Sequence, residues 1–204
     1  MPTAEKLSPA ARKQNRRSEA TRRRIYEAAA NEFAEHGIAG ARVDRIATAA
    51  KANKSLIYEY FGSKDELFEM VIREAVAEFY ETVGVTGLTI AEYAGKIFDF
   101  AMERPRLMRL VMWRGFAGKR DFPLPEGESL ARQLERIEKA QAGGCITKQW
   151  SADVIYTMLL TIATSWTATN AFGPAISQDV DGRREELRRS VCETVEKLFV
   201  LPAA

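Results

Sequence analysis

The chain has 204 residues, 46% of them hydrophobic and 28% charged, with a formal net charge of +2. That length suffices for one large domain or two small ones and buries about 70% of the extended surface, and the balance is that of a soluble globular protein. No uninterrupted apolar run of about 18 residues occurs and the polar, basic N-terminus has no secretory apolar stretch, which excludes a membrane span and points to the cytoplasm.

The charge is unevenly placed. Residues 1–24 carry eight lysines and arginines against two glutamates, a net of +6, and the remainder of the chain is at −4. A flexible basic arm over 1–17 is expected, suited to nucleic acid, an acidic membrane surface or plain solvation. From Glu19 to His36, Ile25, Ala29 and Phe33 recur at i, i+4 and i+8, the spacing of one helical face, and Gly37 follows as a helix-ending residue. His36, the only histidine, sits at a helix C-terminus, where its role is structural. Val43, Ile46, Ala47 and Ala50 mark a short second helix, and Asn53 is an N-cap for a third that runs to Phe61. Ser63-Lys64-Asp65-Glu66 is a capping box: the Ser63 hydroxyl accepts from the Glu66 amide while Glu66 reaches back to the Ser63 amide. The stripe Phe68, Val71, Ile72, Ala75, Phe79 and Val83 then continues a fourth helix up to Gly84 and Gly87. Further helical patterns cover 90–103, 105–117, 126–142, 152–171 and 183–200. Pro105 sits at a tolerated first-turn position, and 118–127, Gly143-Gly144 and Gly173-Pro174 are breaks. The prediction is an all-α fold of about nine helices with no strand; the stretch at 85–89 is too short and isolated for a sheet.

Helices two and three, joined by a short turn around Lys51 and Ala52 and supported by helix one, are spaced as a helix-turn-helix. In such a unit the second helix enters the major groove N-terminus first, which puts Lys54 and Ser55 at base edges. The hydroxyls of Tyr58 and Tyr60 can reach phosphates, and Lys64 adds its charge to the positive end of the fourth helix. Phe61 reads as core.

The stretch "RVDRIATAAKANKSLIYEYFGSKDELFEMVI" resembles the DNA-binding region of the TetR family of one-component transcriptional regulators. The likeness rests on Ile46-Ala47, on Tyr58-Glu59-Tyr60-Phe61 and on Ser63-Lys64-Asp65-Glu66-Leu67, and with helix one it covers about residues 18–75. It implies a DNA-binding domain over 18–65 and an all-α ligand-binding and dimerisation domain over 66–204. The candidate DNA-facing set is Arg42, Arg45, Asn53, Lys54, Ser55, Leu56, Tyr58, Tyr60 and Lys64. The chain departs from the family at Lys51, where a turn glycine is common, and at Arg42, where a phosphate-holding threonine is common. Lys51 must then adopt a left-handed conformation without glycine's freedom. The resemblance implies a homodimer through the last two helices, about 152–171 and 183–200, with apolar stripes Ile155, Leu159, Ile162, Trp166 and Leu187, Val191, Val195, Leu198. It also implies a palindromic double-stranded DNA operator and a small-molecule effector.

The C-terminal half is rich in large apolar groups. Phe98, Met102, Met112, Trp113, Phe116, Tyr156 and Trp166, with Met108 and Met158, suit a cavity for a hydrophobic or amphipathic molecule, and packed core accounts for about half of them. One histidine supplies no two-histidine metal site, no glycine-rich phosphate loop occurs, and Cys145 and Cys192 read as free thiols. No catalytic residue, metal or cofactor is expected. The leading function is a repressor released from its operator by its effector. The alternative is a ligand-binding protein of the same fold whose Lys51 and Arg42 departures have altered or abolished DNA binding.

Overall fold

The computed structural model describes residues 9–84, 87–118 and 130–202, with side chains in the first helix from residue 15 onward. Among them are ten helices: α1 (Pro9–Gly40), α2 (Val43–Ala50), α3 (Lys54–Phe61), α4 (Lys64–Val83), α5 (Ile90–Glu103), α6 (Pro105–Phe116), α7 (Leu130–Ala142), α8 (Ala152–Ala163), α9 (Phe172–Ile176) and α10 (Arg184–Phe199). The only β pairing among the described residues is an isolated antiparallel bridge between Ile146 and Val200. The chain divides into two compact units between Val71 and Ile72, inside α4.

In the N-terminal unit, Ile25, Ala29 and Phe33 of α1 are fully buried, as their spacing requires, with Ile46, Ile57, Phe61, Leu67 and Phe68. Phe33 meets Phe68 edge to face at 5.1 Å between ring centres. The first turns of α4 therefore belong to this core. Gly37, at φ 65°, breaks α1 where a helix end was expected. The start of α1 differs from expectation. It begins at Pro9, ten residues before Glu19, so 9–17 is helix rather than a flexible arm, while 1–8 lies outside the described residues. Proline is tolerated in a first turn, and Ala10 through Arg17 contains no residue that stops a helix.

The C-terminal unit is built around α5. Phe98, Ala94, Ile97 and Ala101 are buried in a core shared with Ile155 and Leu159 of α8 and with Leu187, Val191, Val195 and Phe199 of α10. Gly95 lets α10 come close: a Cβ there would lie 2.8 Å from Cys192 Sγ. Two ion pairs flank that approach, Arg188 to Asp99 at 2.7 Å and Arg184 to Glu103 at 2.8 Å. Thr89 and Glu92 form a second capping box at the start of α5, which the sequence reading passed over.

Two expectations need correction, and a third lies partly outside the described residues. The eighth helix ends at Ala163 rather than continuing to residue 171, which leaves Trp166 outside it. A run of hydroxyls bonded to carbonyls marks this end: Thr164 Oγ1 donates to Leu160, Ser165 Oγ to Thr161, and Thr167 Oγ1 to Thr164. The chain then forms the additional short α9, crossing at Gly173 so close to the Ser165 carbonyl that a Cβ would overlap it. Helix seven is described only from Leu130; the expected loop and first helical residues at 119–129 lie outside the described residues, as do 85–86. Finally, Ile155, Leu159, Leu187, Val191 and Val195, expected at a dimer interface, are buried inside the chain's own core. An amphipathic helix has one strong apolar stripe, and here α5 covers it.

Lys51 is the one non-glycine residue with positive φ among those described, at φ 51° and ψ 46°. It closes α2 through a Schellman pair, with Lys51 N–H donating to Thr48 O at 3.2 Å and Ala52 N–H to Ala47 O at 3.0 Å. Lys51→Gly is expected to raise the unfolding free energy by about 0.5–1 kcal/mol, since the relief of left-handed strain exceeds the added entropy of the unfolded chain. Urea unfolding of the two proteins checks it, and a less stable glycine variant would show that Lys51 is not strained.

Candidate nucleic-acid interface

The turn after Lys51 hands the chain to Asn53, whose side-chain oxygen accepts from the Ser55 amide at 3.2 Å and caps α3. Ile57 and Phe61 hold α3 to the core by its inner face. The opposite face carries Lys54, Ser55 and Tyr58 into solvent, with Tyr58 45% exposed and Leu56 half-buried between the two faces. Lys54 is not idle there. Its ammonium lies 2.9 Å from the Asp44 carboxylate of α2, and that hydrogen bond raises its pKa above the ordinary lysine value. Tyr60 is turned the other way: its hydroxyl shares a 2.9 Å hydrogen bond with Ser18 of α1.

The other end of the unit is organised by Glu32, a residue the sequence reading did not single out. Its carboxylate, almost fully buried on α1, accepts the Arg42 backbone N–H at 2.8 Å and the Arg45 Nε at 2.7 Å, and His36 Nε2 lies 3.8 Å away. Arg45 donates also to the Gly40 carbonyl at 2.8 Å. Burial by itself pushes the Glu32 carboxyl up; the Arg45 and Arg42 hydrogen bonds and the nearby charges outweigh it and hold the pKa below the ordinary carboxylate value. Arg45 thus positions α2, while the Arg42 side chain is exposed at the start of that helix. Lys64 sits at the start of α4, where the capping box forms as expected, with Ser63 N–H to Glu66 at 2.7 Å and Glu66 N–H to Ser63 Oγ at 3.1 Å. The Lys64 ammonium donates to the Ala41 carbonyl at 3.3 Å. Cationic groups of α2, α3 and α4, exposed at Arg42 and Lys54 and half-buried at Lys64, therefore lie around the polar and aromatic outer face of α3.

Comparison with known proteins agrees with this geometry. Residues 25–71 match the family "Bacterial regulatory proteins, tetR family", and residues 89–197 match "Tetracyclin repressor-like, C-terminal domain". The chain belongs to the TetR family. It is 34% identical over 187 residues to the HTH-type transcriptional repressor SCO4008 of Streptomyces coelicolor, covering 88% of this chain and 97% of that one. It is 30% identical over 146 residues to the HTH-type transcriptional repressor NicS of Pseudomonas putida, covering 62% and 69%. A crystal structure of SCO4942 from Streptomyces coelicolor superimposes with a TM-score of 0.77 at 33% identity, covering 89% of this chain and 99% of that one. The protein is a DNA-binding transcriptional regulator of all-α TetR fold.

In the TetR-type C-terminal unit, Phe98 is core, and Met102, Tyr156 and Trp166 pack partly buried around that core. Met112 and Trp113 are half-buried on α6, but Phe116 is 74% exposed, so the seven residues do not converge on one place. Trp166 donates its indole N–H to Ser177 Oγ at 3.0 Å. Sequence reasoning missed a buried polar group around Tyr156. Burial pushes that phenol's pKa well up, the neighbouring Tyr93 adds to the rise, and Tyr80 and the Arg136 charge oppose it. Arg114 and Gln133 are also buried in this unit. Arg114 was findable, because it follows Leu107 and Leu110 on an apolar face of α6. Among the described residues no group of His, Cys, Asp and Glu could hold a metal ion, and no helix is long and apolar enough to cross a membrane.

Glu32→Ala is expected to cost about 1–3 kcal/mol of stability, because it strips the partner from Arg45 and from the Arg42 amide. The pH dependence has a fixed sign. A carboxyl lowered in the fold contributes stability above its ordinary pKa and loses it as pH falls through the lowered value, so the variant's stability should fall less than the parent's between about pH 5 and pH 3. Urea titrations across that range read both effects, and parallel pH curves would remove Glu32 from the account.

Proposed function

We propose that this protein is a homodimeric cytoplasmic repressor that reads a palindromic operator with α3 and leaves it when a small amphipathic molecule binds the C-terminal unit. The observation that carries the DNA-reading part is the outward face of α3. Lys54, Ser55 and Tyr58 stand exposed at and near its N-terminus while Ile57 and Phe61 fix the helix from behind. Lys54 reads bases after exchanging Asp44 for a guanine edge. Arg42, Tyr58 and Lys64 hold phosphates, whereas Asn53 and Arg45 act through the helix ends they secure. Tyr60, bonded to Ser18, belongs with the positioning groups. The Lys51 departure supports retained DNA binding, because the residue adopts the left-handed conformation that the turn needs.

The surface of α8 supports pairing with a second copy. Thr157, Met158 and Thr161 are exposed there, and Leu198 of α10 is 43% exposed. Thr157 and Thr161 already donate their hydroxyls to the carbonyls four residues back, each at 2.8 Å. Their outward surface is thus largely methyl, and covering it leaves no donor unmet. The effector's polar end is assigned to the buried Tyr93 and the half-buried Tyr80 and Tyr156, and its apolar body to the neighbourhood of Met102 and Trp166. Its binding releases the operator only by favouring one conformation over another. The regulator has no catalytic task in this reading.

A mobility shift with palindromic duplexes from the chain's own promoter region tests the reading. Lys54→Ala should cost about 1–3 kcal/mol on the operator alone, whereas Lys64→Ala should weaken all sequences alike and lower the salt slope by about 1. A Lys54 variant with an unchanged specific-to-nonspecific ratio would make that lysine a phosphate clamp. Thr161→Arg should convert the dimer to a monomer in light scattering at micromolar concentration with the helical content intact, and a persistent dimer would move the interface off α8.

A further inference from the structure

We infer that Arg16, Arg17 and Arg23 of α1 form a second, sequence-independent DNA site that grips the phosphate backbone outside the half-site read by α3. The inference rests on the DNA-binding reading above and extends it to the flanks. From Ser18 onward α1 is tied to the reading unit: Ser18 to Tyr60 at 2.9 Å, the Arg22 guanidinium over the Phe61 ring at 5.8 Å, and Arg24 Nε to the Ala50 carbonyl at 3.2 Å. Ahead of Ser18 the helix continues to Pro9. Just ahead of Ser18, Asn15, Arg16 and Arg17 are exposed and take no part in the buried core.

The arginines of this region fall into two groups. Arg22 and Arg24 lie against the core and the end of α2, and Arg45 and Lys54 are held by carboxylates. Arg16, Arg17 and Arg23 are exposed and make no side-chain hydrogen bond or ion pair with any described residue. Arg16 and Arg23 stand seven residues apart, about two helical turns, as do Arg17 and Arg24, so the four share one broad face turned away from Ile25, Ala29 and Phe33. Arg24 anchors that face beside Ala50, the residue before the turn into α3. A stripe of unengaged guanidiniums therefore leads from the edge of the reading unit along a rigid rod. Guanidiniums meet phosphate oxygens in bidentate fashion and release counterions from the duplex, a gain that needs no particular base sequence. Arg16 and Arg23, seven residues apart, span roughly 10 Å of helix at about 1.5 Å per residue, or about three base pairs of duplex.

The test uses the full chain and a palindromic operator selected by that chain from random-sequence duplexes. The triple variant Arg16→Gln, Arg17→Gln, Arg23→Gln is compared with the parent on two duplexes, one trimmed to the palindrome and one extended by about six base pairs of arbitrary sequence at each end. The parent should bind the extended duplex about tenfold or more tightly than the trimmed one at about 0.1 M salt, regardless of flank sequence. The variant should lose that gain, with a salt slope smaller by about 1 for each arginine engaged, and should match the parent on the trimmed duplex within about twofold. Hydroxyl-radical footprints should retract by about three base pairs at each end in the variant. Equal affinity, slope and footprint for the two proteins on the extended duplex would overturn the inference and leave a solvated helix face, while tight operator binding by both would leave the DNA-reading proposal standing. Arginine-dependent capture by anionic phosphatidylglycerol vesicles with no flank effect would assign the stripe to a membrane surface and overturn it too. Failure of both proteins on every duplex would sink the DNA reading together with this extension.

Discussion

Eight-residue helices do not hold their own shape in water, because the cost of nucleation exceeds what so few hydrogen bonds return. α2 and α3 are both of this length. Their shape and placement are therefore inherited from α1 and α4, through Ile46, Ile57 and Phe61 in the core and through Glu32 at the start of α2. The buried carboxylate matters more than its size suggests. It satisfies a backbone amide that a helix start leaves without an intrahelical partner, and it fixes Arg45, which in turn ties down the carbonyl of Gly40. A reader of base edges must be held to within a fraction of an ångström, and Glu32 joins the start of α2 to the long helix beneath as Arg24 joins its end.

The parts of this fold that were legible in the sequence share a property: their signals are local. The Ser63–Glu66 capping box, the glycine stop at 37, the forced conformation at Lys51 and the burial of Phe61 each depend on residues within a few positions of one another, and each appears in the structure as expected. The family motif is local too, lying within α2, α3 and the start of α4. What was missed depends on partners distant in sequence. Glu32 looks like any other polar residue on an amphipathic helix until Arg42 and Arg45 fold back on it, and Tyr60 looks available until Ser18, 42 residues earlier, meets its hydroxyl. The stripes of α8 and α10 show that both helices bury something. Only the position of α5 shows that what they bury is the chain's own core.

The early end of α8 has a different cause. The spacing of Ile155, Leu159, Ile162 and Trp166 continues the helical pattern, but the pattern registers apolar faces and is silent about hydroxyls. Four serines and threonines lie between 164 and 169, residue types that favour turns over helix interiors, and the regular ladder stops where they accumulate. On the exposed side of α8, isolated threonine hydroxyls donate to the carbonyls four residues back, leave the ladder intact and present their methyls outward.

The cations around the reading helix divide along similar lines. Lys54 already has a carboxylate partner at 2.9 Å, so its interaction with DNA is an exchange, and only the difference between Asp44 and the new partner appears in the affinity. An exchange of this kind is favourable where the new acceptor is well placed and unfavourable where it is not, which makes it a source of discrimination rather than of binding strength. Arg16, Arg17 and Arg23 face solvent with no carboxylate among the described residues to give up. Any phosphate they meet adds to affinity, and adds equally for every sequence. The distribution of intramolecular ion pairs over α1, α2 and α3 thereby separates the groups that choose a site from those that hold on to it.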